Sequence, residues 1–101
     1  MNPVALITGG GNGIGRAVAQ RMAAGGMTVV VADCEYAAAE QVRAEVEEAG
    51  GKAAALSLDV TMAREVKAAV GEAAQRFGRI DVLANIAGGS FYTKRIEDFA
   101  W

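Results

Sequence analysis

Residues Thr8 to Gly15 read Thr-Gly-Gly-Gly-Asn-Gly-Ile-Gly, between the apolar run Val4 to Ile7 and a stretch of helical patterning that opens at Arg16 and Ala17. Glycine is required where the backbone takes a positive φ or must approach another group with no Cβ in the way. A helix start presents free N–H groups and a partial positive charge to an anion. A buried strand, a glycine turn and a helix N-terminus in that order make a phosphate-binding device, and the expected ligand is a dinucleotide pyrophosphate held by Gly9, Asn12, Gly13, Ile14 and Gly15. A glycine turn with no ligand is the competing reading, and the strand before it and the helix after it weigh against that.

The rest of the chain repeats the alternation. Short apolar runs at Val4 to Ile7, Thr28 to Ala32, Ala53 to Leu58 and Val82 to Ile86 are unalternated and read as strands buried on both faces. Between them, Ile14, Val18 and Met22 fall on one helical stripe, Val42, Val46 and Ala49 on a second, and Val66, Val70, Ala73 and Phe77 on a third. Gly25-Gly26, Gly50-Gly51 and Gly78 stand where those helices should stop. The spacing predicts an α/β fold of Rossmann type: three right-handed crossovers joining four parallel strands in the order 3-2-1-4. Residues 1–101 then form one dinucleotide-binding portion, an incomplete domain, since a complete two-halved sheet does not fit in 101 residues.

Composition excludes several classes. Ten basic residues scattered singly and a net charge of −2 offer no stripe for nucleic acid or an anionic membrane. The longest apolar stretches are too short to span a bilayer, and the N-terminus lacks the pattern of a signal peptide. The single cysteine, Cys34, has no internal disulfide partner, and with no histidine in the chain to activate it, it reads as a small residue at a strand end. A reducing cytoplasm is the expected compartment.

The glycines at 9, 13 and 15 give G-x-x-x-G-x-G, and no G-x-G-x-x-G can be placed anywhere. This segment resembles the cofactor motif of the short-chain dehydrogenase/reductase family, in its compact branch. Two further segments match in register: Asp59-Val60 is similar to the family's adenine clamp, and Asn85-Ile86-Ala87-Gly88 to its Asn-Asn-Ala-Gly segment, with Ile86 in place of the second asparagine. The resemblance implies that Asp59 accepts from the adenine amine, that the Val60 amide donates to a ring nitrogen, and that Ala87 and Gly88 lie against a cofactor ribose. Asn85 either touches the ligand or bonds across to neighbouring strand ends and holds the sheet. Asp59 with Thr61 could instead cap the helix that begins near Met62, and Thr61 capping is compatible with an Asp59 clamp.

Asp33 ends the second strand 18 residues after Gly15, where a carboxylate can accept from the adenosine ribose hydroxyls; capping of the next helix is its alternative role. A cofactor 2′-phosphate beside it meets like-charge repulsion of roughly 4 kcal/mol at an effective dielectric near 20. No Arg or Lys stands at position 12 or 34, occupied by Asn12 and Cys34, to offset this. The expected cofactor is therefore NAD rather than NADP.

The family's catalytic signature, Tyr-x-x-x-Lys, is absent: Tyr36 is followed four places on by Glu40, and Tyr92 by Ile96. Ser90, Tyr92 and Lys94 carry no catalytic role in this reading and are expected in a loop entering another helix near Ile96. The resemblance thus implies the N-terminal cofactor-binding part of an NAD-dependent oxidoreductase acting on an alcohol or ketone, whose catalytic serine, tyrosine and lysine belong to a following segment. The parent is expected to be a homo-oligomer. The alternative function is a stand-alone, non-catalytic nucleotide-binding module, against which the apolar fourth strand argues, because it would be left as a bare edge. A flavin or other nucleotide enzyme on the same half-fold is a third possibility, usually with a different glycine spacing.

Overall fold

The computed structural model describes residues 2–59, 62–86 and 92–94. Strands β1 (Val4–Thr8), β2 (Thr28–Asp33), β3 (Lys52–Ser57) and β4 (Val82–Asn85) run parallel and are joined by helices α1 (Gly13–Ala24), α2 (Tyr36–Glu48) and α3 (Ala63–Phe77). The sheet order is β3-β2-β1-β4, the 3-2-1-4 order implied by the alternation, and a short strand β5 (Tyr92–Lys94) follows it, antiparallel to β4.

That last strand corrects the loop expected there. Leu83, Ala84 and Asn85 pair with Lys94, Thr93 and Tyr92. An apolar strand edge displays a row of unpaired N–H and C=O groups, and the returning chain covers three of the four β4 residues.

Each parallel strand serves two cores because successive side chains point to opposite faces. Ala5, Ile7, Val29, Val31, Ala55 and Ala84 face α1 and α2, where they meet Ala19, Ala39, Val42 and Val46. Val4, Leu6, Val30, Ala32, Leu56 and Leu83 face the other way, onto Ala69 and Ala73 of α3, with Val66, Val70 and Phe77 packed around them. This explains the unbroken apolar runs: Leu6, Ile7, Val29, Val30 and Val31 are all fully buried, each contributing about 1.5–3 kcal/mol relative to exposure.

The first helical stripe is rotated from its expected position. Gly15 and Ala19 are the buried residues of α1, Val18 and Met22 are half-buried, and Ile14 is 66% exposed. The cause is close approach at Gly15, where a Cβ would stand 2.0 Å from the carbonyl oxygen of Gly9. Seating that glycine against the turn swings the neighbouring residue, Ile14, outward. On α2 the buried set is Ala39, Val42 and Val46, while Ala49 at the helix end is exposed. All three helices stop at their glycines, and at the end of α3 Gly78 takes the left-handed conformation with φ 78°.

The N-terminal ends of β1 and β4 are clamped together. Asp81 accepts the Val4 amide at 2.8 Å and pairs with Arg79 at 2.6 Å, while its own amide donates to the Val4 carbonyl at 2.8 Å. The opposite, C-terminal edge carries Thr8, Asp33, Ser57 and Asn85, and every sequence-derived site residue that is described lies there.

Candidate functional site

The glycine turn is held rigidly against β2. The Gly10 amide donates to the Ala32 carbonyl at 3.2 Å, and the Gly11 amide donates to Asp33 Oδ2 at 3.1 Å. Neither glycine has room for a side chain, since a Cβ on Gly10 would meet Val31 Cγ1 at 2.8 Å and one on Gly11 would meet Ala38 Cβ at 2.7 Å. Gly9 and Gly13 turn the chain with φ 68° and 56°. Asn12, in extended conformation and exposed, precedes α1, which begins at Gly13 rather than Arg16 and places Gly13, Ile14 and Gly15 in its first turn. First-turn amides have no intrahelical acceptor and point along the axis with the positive end of the helix dipole. Here that end opens onto the C-terminal edge of the sheet.

Asp33 lies at the end of β2, half-buried, with both carboxylate oxygens engaged: Oδ2 takes the Gly11 amide, and Oδ1 takes the Glu35 amide at 3.0 Å. The second bond is an Asx turn leading into α2. It does not make Asp33 the N-cap, a position held by Glu35 with no side-chain cap bond. The capping role considered for Asp33 gives way to this Asx turn, which leaves the carboxylate beside the glycine loop.

Asn85 closes β4 directly opposite Thr8, and the Thr8 hydroxyl, buried, donates to Asn85 Oδ1 at 2.8 Å. Asp59 follows β3, exposed; its amide donates to Glu65 Oε1 at 3.1 Å, and its carbonyl accepts the Met62 amide at 3.1 Å. The N-cap position of α3 is Met62, which makes no side-chain cap bond, and Glu65 in the first turn instead accepts the Asp59 amide ahead of the helix. Val60, Thr61, Ala87, Gly88 and Ser90 lie outside the described residues, as do the side chains of Tyr92 and Lys94.

Sequence reasoning missed four contributors. Gly10 and Gly11 were passed over for the spaced glycines 9, 13 and 15, although three glycines in succession signal a close backbone approach. Thr8 opens the glycine motif in the sequence, and nothing there shows that its hydroxyl meets a side chain on β4. Glu65 reaches back six residues to the Asp59 amide, a separation that no capping spacing in the sequence announces.

Among the described residues, no group of three or more His, Cys, Asp or Glu side chains is placed to hold a metal, and no helix is long and apolar enough to cross a membrane. The donor set that remains fits a dinucleotide: a glycine cradle that side chains would fill, amides at a helix start, and a carboxylate at the next strand end.

A parallel 3-2-1-4 sheet with this edge defines a nucleotide-binding α/β protein of Rossmann type. The chain belongs to the short chain dehydrogenase family, whose model matches residues 3–100. It is 48% identical over 85 residues to the short-chain reductase protein NovJ of Streptomyces niveus, covering 84% of this chain and 32% of that protein. The crystal structure of a hydroxysteroid dehydrogenase from Escherichia coli superimposes with a TM-score of 0.83 at 40% identity, over 86% of this chain and 37% of that one. An actinorhodin polyketide ketoreductase variant solved with NADPH matches with a TM-score of 0.82 at 36% identity, over 86% of this chain and 33% of its own. The chain thus spans about a third of the length of the relatives it resembles.

Proposed function

We propose that the chain binds NAD along the C-terminal edge of its sheet and is the cofactor part of an oxidoreductase that moves hydride between an alcohol and a ketone on a small substrate. The observation that carries this reading is the Asp33 carboxylate, bonded to Gly11 of the glycine loop at 3.1 Å. A group so held is pre-positioned to accept from both hydroxyls of the adenosine ribose, and a 2′-phosphate in their place would confront its charge. In this reading the first-turn amides of Gly13, Ile14 and Gly15, with Gly9 and Asn12, receive the pyrophosphate. Asp59 and Val60 hold the adenine, and Asn85, Ala87 and Gly88 border the nicotinamide-side ribose. The bound nicotinamide supplies or accepts the hydride; residues 1–101 bind and orient it. The serine, tyrosine and lysine that act on the substrate belong to a segment beyond this chain, which by itself is inactive. The parent enzyme is cytoplasmic and a homo-oligomer in this proposal.

Calorimetric titration of the chain with NAD and NADP tests the assignment. NAD is expected to bind about five- to twelvefold more tightly, and Asp33→Ala to abolish most of that preference; the half-exposed carboxylate is screened, so the bare Coulomb figure shrinks to about 1–1.5 kcal/mol. An Asp33→Ala protein that keeps its full preference for NAD removes the assignment.

A further inference from the structure

A niche of about 120 Å³ beside the glycine loop is lined by Gly11, Asn12, Arg16, Ala38, Gln41 and Val42. It adjoins Asp33, because Gly11 both lines it and donates its amide to Asp33. Among the described residues, Arg16 is the one cation in that lining, and its guanidinium is drawn onto α2. Nε donates to Glu45 Oε1 at 2.9 Å and Nη2 to Glu45 Oε2 at 2.5 Å, a two-pronged pair. Gln20 donates to the same Oε1 at 2.9 Å and fixes the carboxylate from a second side.

We propose that Glu45 is a second determinant of cofactor choice, acting by holding Arg16 in this pair and so withholding from the niche the cation that a 2′-phosphate needs. The inference rests on the dinucleotide reading of the site. Asp33 repels a 2′-phosphate directly, and Glu45 removes the nearest countercharge. Positions 12 and 34 carry no basic residue, and among the described residues that line the niche Arg16 is the side chain able to supply one. Its side chain is 47% exposed and its guanidinium is free to swing on the solvent side once the partner is gone. A planar, always-charged fork suits a phosphate as well as it suits a carboxylate.

The test is calorimetric titration of the chain, wild type and variants, with NAD and NADP. Glu45→Ala is expected to tighten NADP binding by about fivefold, the order of an exposed arginine contact, and to change NAD binding by less than about twofold. Adding Arg16→Ala should cancel the gain. Glu47→Ala removes the same charge from the same helix but leaves the Arg16–Glu45 pair intact, and should not move the ratio. Glu45→Gln serves as a second variant should Glu45→Ala lose its helical circular dichroism. An unchanged NADP-to-NAD ratio in the Glu45 variants, with NAD still bound by wild type, overturns the inference alone; so does an equal shift in Glu47→Ala. A folded wild type that binds neither dinucleotide overturns the proposed function, and the inference with it.

Discussion

Replacing Gly15 by alanine inserts one methyl group where the structure leaves no space. The added Cβ would lie 2.0 Å from the Gly9 carbonyl oxygen, 2.7 Å from the Gly9 carbonyl carbon and 2.9 Å from Gly10 Cα. All three are backbone atoms, so no side chain can rotate away, and α1 must separate from the turn by about 1 Å. Gly10 cannot follow, because its amide is bonded to Ala32 and its own Cα faces Val31. Overpacking of this kind costs about 3 kcal/mol, which for a domain of this size lowers the melting temperature by roughly 12–24 °C. Gly13 is the internal control. Its φ of 56° disfavours alanine, yet nothing lies within 4 Å of the added carbon, so Gly13→Ala should cost only about 1–2 kcal/mol. Thermal melts followed by circular dichroism compare the two directly. Equal losses, or a larger one at position 13, would refute the claim that close approach, rather than backbone conformation, demands glycine at position 15.

Two other outcomes follow from the surface around the site. Glu65→Ala leaves the Asp59 amide without its acceptor and removes an acidic group from the first turn of α3, so stability should fall by about 1 kcal/mol in urea titrations; if Asp59 clamps the adenine, AMP binding should weaken by about two- to fivefold, and unchanged AMP binding would separate Glu65 from the site. The bond from Arg16 holds the Glu45 carboxyl below its ordinary value of 4.5, so the pair stabilises the fold above that pH and its contribution is lost as pH falls through the lower folded value. Arg16→Ala should flatten that acid limb in melts recorded between about pH 5 and 2, and an unaltered limb would show that the pair contributes nothing to folding.

The site was legible in the sequence wherever a residue's role is local. The strand-turn-helix at Val4 to Arg16 was legible in its spacing, since the glycine positions and the helix start that follows are properties of one short stretch. Asp33 and Asp59 were legible for a similar reason: each ends an apolar run, and in a parallel sheet every such end falls on the same edge. The unalternated runs likewise determined that both sheet faces are covered, and the glycine turn after the first strand points to the 3-2-1-4 order of a dinucleotide-binding half rather than to another doubly wound order.

What the tertiary structure alone decided depends on contacts between segments far apart in the chain. Thr8 and Asn85 are 77 residues apart and meet because β1 and β4 pair in one register. Gly11 is bound to Asp33 across 22 residues, which turns an ordinary turn glycine into the group that fixes the carboxylate. Ile14 fits the helical stripe by periodicity but is exposed, because the depth at which α1 seats is set by Gly15 against Gly9. Arg16 and Glu45 read as two scattered surface charges until α1 and α2 pack side by side and bring them within 2.5 Å. Periodicity and spacing report what a residue does to its own helix or strand; which distant group it touches follows only from how deeply and in what register those elements dock.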